Sequence, residues 1–189
     1  MPTGAFARRA TIALVVFGAL AACQTGPKLP LMSPLEEGGH YGYSELPLSE
    51  NRYEVAYVGP SVRTWLDREK REVDMESARN LAYDLALWRA AELAKEHEFA
   101  AFTVEDRRTD VEVEIIDEGP WIPHYGFHHY HQFGFHGIHD YGLAYRSAWL
   151  QASATLTVVM QAEVSEDAFD AAATAQRMKK KHPEALEPR

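Results

Sequence analysis

The sequence predicts an α+β fold: a small antiparallel or mixed sheet of about four strands, packed on one face by a central helix, plus a C-terminal helix. Three observations support it. Apolar and polar residues alternate in two segments, near residues 52–59 and 149–163. Between them, residues 75–97 carry an uninterrupted apolar stripe with helical spacing. Elements that are apolar on one side only must bury those sides against each other, which gives a two-layer domain.

The first predicted strand is RYEVAYVG, residues 52–59. Tyr53, Val55 and Tyr57 share one face, and Gly59 with Pro60 ends the strand. A charged connector, residues 61–77, follows and could begin the helix. The predicted helix itself runs from about Met75 to His97 with a broad apolar face made of Ala78, Leu81, Ala82, Leu85, Ala86, Trp88 and Leu93.

Two short strands are predicted after this helix, FAAFTVED and VEVEII, with Arg107, Arg108 and Asp110 at the turn between them. The last and most regular strand covers residues 149–163. One of its faces is expected to be buried and is formed by Leu150, Ala152, Ala154, Leu156, Val158 and Met160.

A C-terminal helix is predicted from Ser165, whose hydroxyl would cap it, through residues 166–181. Acidic residues lie in its first turn, basic residues in its last, and Pro183 follows, as suits the helix dipole. The basic cluster RMKKKH could touch an anionic polymer, but it also suits a solvated helix end.

The N-terminus has the pattern of an export signal, predicted over residues 1–22. Arg8 and Arg9 precede an apolar run, residues 10–22, that is shorter than the ~20 residues of a membrane-spanning helix. The run ends in LAAC, which resembles the lipobox of bacterial lipoproteins and contains Cys23, the single cysteine of the chain. The alternative is an ordinary signal peptide with a cysteine there by chance.

The lipobox resemblance implies that Cys23 carries a diacylglycerol group, that the signal is cut before it, and that the new amino terminus is acylated, for example by palmitate. More than one chain makes such an anchor stable, at about 0.8 kcal/mol per buried methylene. Gln24, rather than an aspartate, follows the cysteine; by the same resemblance this implies the periplasmic face of the outer membrane.

Charge excludes one class of partner. Removing residues 1–22 removes two arginines and no acids, so the formal net charge goes from −9 to −11. Such a chain is not expected to bind nucleic acid, or to adhere to an anionic membrane by charge. Its contact with the membrane is expected through the N-terminal lipid.

The mature chain divides into three predicted parts. Residues 23–50 are the lipidated cysteine and an extended tether rich in Pro and Gly, in which the sequence YGYSEL docks on the domain. Residues 51–164 are the α+β domain, with a His- and aromatic-rich insertion at residues 119–146. Residues 165–189 are the C-terminal helix and tail.

The segments YGYSELPLSENRYEVAYVG and DLALWRAAELAKEHEFAAFTV resemble a family of small proteobacterial lipoproteins of uncharacterised function. The resemblance covers residues 41–104. It implies an envelope location and this type of fold, but no activity, because none is established for the family. The turn after the first strand and the length of the connector, residues 61–74, depart from the family pattern.

The insertion holds six of the nine histidines of the chain. Neutral imidazoles at this density suit Zn, Cu or Ni, so a divalent transition metal would fit, although no cofactor is required. The alternative is compositional drift, because GFHH and GFHG look like a slipped repeat. The candidate metal ligands are His124, His128, His129, His131, His136, His139 and Asp140.

Two further interpretations concern the same insertion. Protonation of its histidines would make it an acid sensor. Its aromatic rings could instead form a contact loop for a sugar polymer such as peptidoglycan or for an envelope protein, or could fold back over the open face of the sheet. The candidate contact residues are Phe127, Tyr130, Phe133 and Phe135.

Arg89 and Glu92 are expected to form a structural pair, with a strand acid as the alternative partner of Arg89. No serine has a GxSxG context, and neither a free thiol nor a Gly-rich phosphate loop is found, so the chain is not expected to be an enzyme. The sequence therefore predicts a non-catalytic, lipid-anchored envelope lipoprotein with a binding or structural role. The alternative is a periplasmic lipoprotein that binds or buffers a transition metal.

Overall fold

A computed structural model of the chain describes residues 29–37, 39–118 and 145–188. Over these ranges the strands are β1 (Gly42–Pro47), β2 (Arg52–Val58), β3 (Val62–Thr64), β4 (Ala101–Glu118), β5 (Tyr145–Gln161) and β6 (Phe169–Asp170). The helices are α1 (Arg68–Glu96) and α2 (Ala171–Lys181), with short 3-10 helices at Leu35–Glu37 and Pro183–Leu186. None of the described helices is long and apolar enough to cross a membrane.

The six strands form one open sheet in which every strand pair is antiparallel. The order is β1-β2-β5-β4-β6, and β3 pairs with β5 beyond the end of β2. Between β2 and β3, Gly59 lies close to β5: its N–H donates to the carbonyl of Ala152 at 2.7 Å. A glycine suits this position, because a Cβ there would lie only 3.1 Å from that oxygen. The predicted α+β class is confirmed, with six strands rather than about four.

The core lies between one face of the sheet and the second half of α1. All six β5 residues predicted to share a buried face are buried, and so are Val55 and Tyr57 of β2. Helix α2 packs mainly on α1, through a stripe formed by Ala171, Thr174, Ala175 and Met178. The order of layers is therefore sheet, α1, α2, and α1 is covered on two sides.

Helix α1 begins at Arg68, seven residues before the predicted start at Met75. The Asp67 carboxylate accepts the N–H of Lys70 at 3.0 Å and caps the helix. The first half of α1 projects past the core, so its residues are charged and carry no apolar stripe that would reveal a helix.

The two short strands predicted after α1 are one strand, β4, and the predicted turn at Arg107, Arg108 and Asp110 is wrong. These residues pair with β5 like their neighbours, and the register shifts by one residue between Val104 and Asp106. This bulge keeps Val104 and Arg107 on the helix-facing side. Arg107 lies there with its guanidinium 3.8 Å from the centre of the Tyr83 ring.

In the described part of residues 23–50 the chain packs on the domain instead of forming an extended tether, and the predicted docking of YGYSEL takes place through β1. Leu31 is fully buried, β1 pairs with β2, and Met32 N–H donates to the carbonyl of Ala185 at 3.1 Å. The prolines are compatible with this arrangement because β1 is an edge strand, where a residue without N–H is tolerated, and Pro47 is its last residue.

Helix α2 begins at Ala171, later than predicted, and its cap is Asp170 rather than Ser165. Phe169 and Asp170 first pair with Phe102 and Ala101 as β6, and the rings of Phe169 and Phe102 stack at 5.4 Å. Ser165 donates a hydrogen bond to the side chain of Gln161. The basic last turn and Pro183 beyond the helix are as predicted.

Candidate binding surface

The hairpin of β4 and β5 is the longest element pair in the described chain. It is paired from Ala101 and Gln161 at one end to Glu118 and Tyr145 at the other. The His- and aromatic-rich insertion joins the sheet at this second end, which we call the hairpin tip (residues 113–118 and 145–150). β3 flanks the tip, because Val62, Arg63 and Thr64 pair with Leu150, Trp149 and Ala148.

A cavity of about 550 Å³ opens beside the hairpin tip, between β3, the start of α1 and β5. Thr64 holds β3 to the helix, because its hydroxyl donates to the Asp74 carboxylate at 2.7 Å. Ala148 and Ser147 are buried. The described residues that line the cavity are Arg63, Thr64, Trp65, Leu66, Asp67, Arg146, Ser147 and Ala148.

Two large apolar side chains at this cavity remain in solvent: Trp65 is 56% exposed and Leu66 is 46% exposed. Their backbone is held, since the guanidinium of Arg71 donates to the carbonyl of Leu66 at 3.1 Å. The ammonium of Lys70 lies 4.8 Å from the centre of the Trp65 ring. The exposed side chains therefore sit on an ordered support rather than on a free loop.

The volume of the cavity lies within the range of small-molecule sites, roughly 300–1,000 Å³. Its described lining combines three apolar residues, Trp65, Leu66 and Ala148, with five polar ones. Ile115 and Ile116, opposite Ala148 and Ser147, are also exposed, but they point to opposite faces of the sheet and do not form one patch with the cavity. Clusters of exposed apolar side chains mark contact surfaces. We call this cavity, with the exposed residues Trp65 and Leu66, the tip surface.

The residues predicted to bind metal or to form a contact loop lie outside the described residues. The predicted lipidation site, Cys23, lies outside them too. In the described part of the chain, no group of three or more His, Cys, Asp or Glu residues is arranged to hold a metal ion. The residues in question are His124, His128, His129, His131, His136, His139 and Asp140, with Phe127, Tyr130, Phe133 and Phe135.

The predicted pair of Arg89 with Glu92 is wrong, and the alternative, a strand acid, is confirmed. Arg89 donates to the carboxylate of Glu45 on β1 and to both oxygens of Glu96, two helical turns further on, at 2.7 Å. Glu92 instead accepts from the Trp88 indole at 3.3 Å and from Lys95 at 2.7 Å. The Nε and both terminal nitrogens of Arg89 are engaged by Glu45 and Glu96, and the Glu92 carboxylate is engaged by Trp88 and Lys95, so the two residues do not pair with each other.

Burial alone would lower the pKa of Arg89, but hydrogen bonds to Glu96 and Glu45 outweigh it and raise that pKa above its ordinary value. The same hydrogen bond lowers the pKa of Glu96. The guanidinium also lies 4.6 Å from the centre of the Tyr43 ring, and burial raises the pKa of the Tyr43 hydroxyl. This group is an ion network that fastens β1 to α1.

A second polar cluster, not predicted from the sequence, fastens α2 to α1. The buried Asp84 carboxylate accepts from Lys181 at 2.6 Å and contacts Nε2 of His182 at 2.9 Å. Nδ1 of His182 lies 3.4 Å from Glu184. Both ring nitrogens of His182 therefore face carboxylates, which leaves neither to activate a nucleophile, and the cluster is structural.

Comparison with protein-family models, with curated proteins and with solved structures finds no match to this chain.

Proposed function

We propose that this chain is an exported, lipid-anchored lipoprotein of the bacterial cell envelope, with a non-catalytic binding or structural role, and that the tip surface is its contact surface. The observation that carries the binding role is the exposed Trp65 and Leu66 beside a cavity of about 550 Å³. The export signal and Cys23 support the envelope location, as does the resemblance to small proteobacterial lipoproteins.

The structure sharpens how such an anchor would work. Leu31 is fully buried, and the carbonyl of Leu29 accepts from the Tyr41 hydroxyl at 2.6 Å, so the chain belongs to the folded domain from residue 29 at the latest. Cys23 lies six residues before Leu29, a reach of at most ~20 Å for an extended chain. A lipid on Cys23 would thus keep the domain close to the membrane, whereas a 28-residue tether would let it move far away.

Lipidation can be tested with the full chain expressed in bacteria fed a clickable palmitate analogue. The proposal expects a labelled protein in the membrane fraction, and a Cys23→Ser variant that is unlabelled and released from membranes. Ser44→Ala serves as a control that should stay labelled. A parent protein without label, or a labelled Cys23→Ser variant, contradicts the anchor.

A binding role suits the polar chemistry of the tip surface better than catalysis does. Asp67 already caps α1, and Thr64 is bonded to Asp74, so these groups position backbone and are engaged before any substrate arrives. Trp65 offers a ring for stacking on a sugar or on an apolar side chain, and Arg63 adds a cation. In the cell envelope, the partners that such a surface would bind are peptidoglycan or envelope proteins.

The contact surface can be tested by co-sedimentation of residues 24–189 with purified peptidoglycan, and by photo-crosslinking in cells from position 63, which lines the same cavity. The proposal expects one of these assays to give a signal that Trp65→Ala and Leu66→Ala abolish. Val164→Ala, an exposed apolar residue after the other end of β5, is the matched control and should change neither. If neither assay gives a signal that depends on Trp65 and Leu66, the tip surface is not the contact surface.

A second candidate function is binding of a transition metal by the insertion. One described feature favours it: Glu118 pairs with Tyr145, so the sheet already holds the two ends of the insertion together. The entropy lost when a ligand set closes around an ion is smaller in a loop whose ends are fixed. Neutral imidazoles would supply the donors.

Equilibrium dialysis of untagged residues 24–189 against Zn, Cu, Ni and Co tests this function. Stoichiometric binding should weaken stepwise as His128, His129, His131 and His136 are replaced, and should vanish when residues 121–142 become a Gly/Ser linker. Replacement of Phe127, Tyr130 and Phe135 should leave metal affinity unchanged. Absence of stoichiometric binding, or binding that survives loss of the insertion, contradicts the metal function.

A further inference from the structure

The outer edge of β4 is open for most of its length. On one side, β4 pairs with β5 from Ala101 to Glu118; on the other, β6 pairs only with Ala101 and Phe102. Among the residues that the structure describes, no strand covers that side of β4 beyond Phe102. An uncovered edge presents backbone N–H and C=O groups that can pair with another extended chain.

Hydrogen bonds on β5 identify the β4 residues that direct these groups outward. The Ala152 carbonyl accepts from Gly59 and the Met160 N–H donates to Asn51, each at 2.7 Å, so even-numbered β5 residues bond toward β2. Residues opposite them on β4 therefore bond away from β5. These are Arg107, Thr109, Val111, Val113 and Ile115.

Val111 agrees with this assignment. Its N–H donates to the side chain of the preceding Asp110 at 2.9 Å. An incoming strand can replace Asp110 as the acceptor of the Val111 N–H, because Asp110 is exposed and its carboxylate would then be solvated by water.

The two faces of β4 specify what the incoming strand must look like. Side chains opposite even-numbered β5 residues lie on the helix side and become apolar from Val111 onward. The other face carries Arg108 and, after it, three acids. Directly opposed side chains of opposite charge stabilise a strand pair, and like charges destabilise it. The acids on the second face are Asp110, Glu112 and Glu114.

A second copy of this chain meets that requirement poorly over the apolar part of the edge. Antiparallel self-pairing centred on Val113 sets Glu112 of one copy opposite Glu114 of the other, and parallel pairing in register sets each acid beside itself. In both of these registers like charges oppose each other, whereas a strand with basic residues would set opposite charges against the acids of β4.

We propose that β4 between Arg107 and Ile115 binds, by antiparallel strand addition, an extended segment of another protein in which apolar residues alternate with Lys or Arg. Backbone hydrogen bonds from the five outward-facing residues would supply affinity, and the acidic face would select the partner. The proposal does not depend on the lipid anchor or on the tip surface.

Amide hydrogen exchange of the peptide-free protein gives the first test. If the edge is open, the amide hydrogens of Thr109, Val111 and Val113 should exchange fast. Those of Asp110 and Glu112, whose N–H groups bond to β5, should exchange slowly. Slow exchange at both sets would show that another segment of the chain already occupies the edge, and would overturn the proposal.

The second test uses a capped octapeptide of alternating valine and lysine as the probe. It should bind and slow the exchange of the three outward amides, whereas a valine–glutamate peptide, and a peptide of four valines followed by four lysines, should not. Glu112→Lys with Glu114→Lys should raise Kd by about tenfold or more. Glu50→Lys with Glu163→Lys makes the same charge change far from the edge and should leave Kd nearly unchanged.

Circular dichroism melts of both double variants establish that they remain folded. Failure of the alternating peptide to bind overturns the proposal. Equal binding of the block peptide, or an equal loss of affinity in both double variants, shows general attraction to an acidic protein and overturns it as well.

Discussion

The two halves of α1 have opposite surroundings although they form one continuous helix. From Arg68 to Leu81 no residue is buried, and Val73 is 66% exposed. From Ala82 to Glu96 ten residues are buried, because the sheet covers one side and α2 the other.

The difference separates stability from recognition along a single element. The second half is held by packing, and its charged residues are engaged in ion networks with β1 and α2. The first half is held by its cap at Asp67 and by surface pairs such as Arg79 with Glu76, and it borders the tip surface. We therefore expect the same type of substitution to have very different effects in the two halves.

Leu85→Ala should have the largest effect. Leu85 is fully buried in the second half, so removal of its side chain leaves a cavity and should lower the free energy of unfolding by about 2–5 kcal/mol. Val73→Ala is the matched control in the first half and should change the free energy of unfolding by less than about 0.5 kcal/mol. Urea denaturation measures both. Similar values for the two variants would mean that the halves do not differ in burial.

Arg89→Ala should lower the free energy of unfolding by about 2–3 kcal/mol, because it leaves the carboxylates of Glu45 and Glu96 without their common partner. Arg89→Met combined with Glu45→Leu should restore much of that loss, since a partly buried ion pair can be replaced by packed apolar groups. Thermal melts of the three proteins give the comparison. An Arg89→Ala protein that melts like the parent would refute the network.

Asp67→Ala tests the cap of the first half. Loss of the side chain that accepts the Lys70 N–H should cost about 1 kcal/mol, while Asp67→Asn should cost much less because its amide oxygen can still accept. Hydrogen exchange should accelerate in residues 68–74 and stay unchanged in residues 82–96. Uniform acceleration along α1 would show that the helix opens as one unit.

The smallest effect concerns pH. The hydrogen bond from Arg89 lowers the folded-state pKa of Glu96. The ionised Glu96 therefore stabilises the folded protein fully above the ordinary carboxyl pKa, and this contribution is lost as the pH falls through and below that range. Because Glu96 is half-exposed, solvent screens the pair and the effect is small. The stability difference between parent and Arg89→Met should therefore shrink between pH 6 and pH 3. A constant difference contradicts this linkage.

The sequence predicted the parts of the fold in which one side of an element is buried. The alternation in β2 and β5 and the stripe of α1 from Ala82 onward identified the core correctly, because each follows from local periodicity. β4 was divided into two strands because its outer part lies at the sheet edge, where charged residues interrupt the apolar pattern. The docking of YGYSEL was predicted but its strand was not, because prolines surround β1 and because β1 is an edge strand that pairs only with β2.

The tip surface could not have been found from the sequence. Trp65 and Leu66 lie in a charged connector, and their exposure becomes meaningful only when β3 pairs with β5, more than 80 residues later in the chain. Asp84 has the same property, since its partners Lys181 and His182 are brought to it by the packing of α2. Contacts between distant segments leave no local pattern.

The pairing of Glu118 with Tyr145 has an evolutionary consequence. Lengthening a loop whose ends are already held together costs little, about 0.6 kcal/mol for each doubling of its length. Residues can therefore be gained, lost or exchanged in the segment between these two positions without a change in the register of the sheet. A lineage carrying this fold could replace the composition of that segment entirely, as its environment changes, while the core and both ion networks remain under unchanged selection.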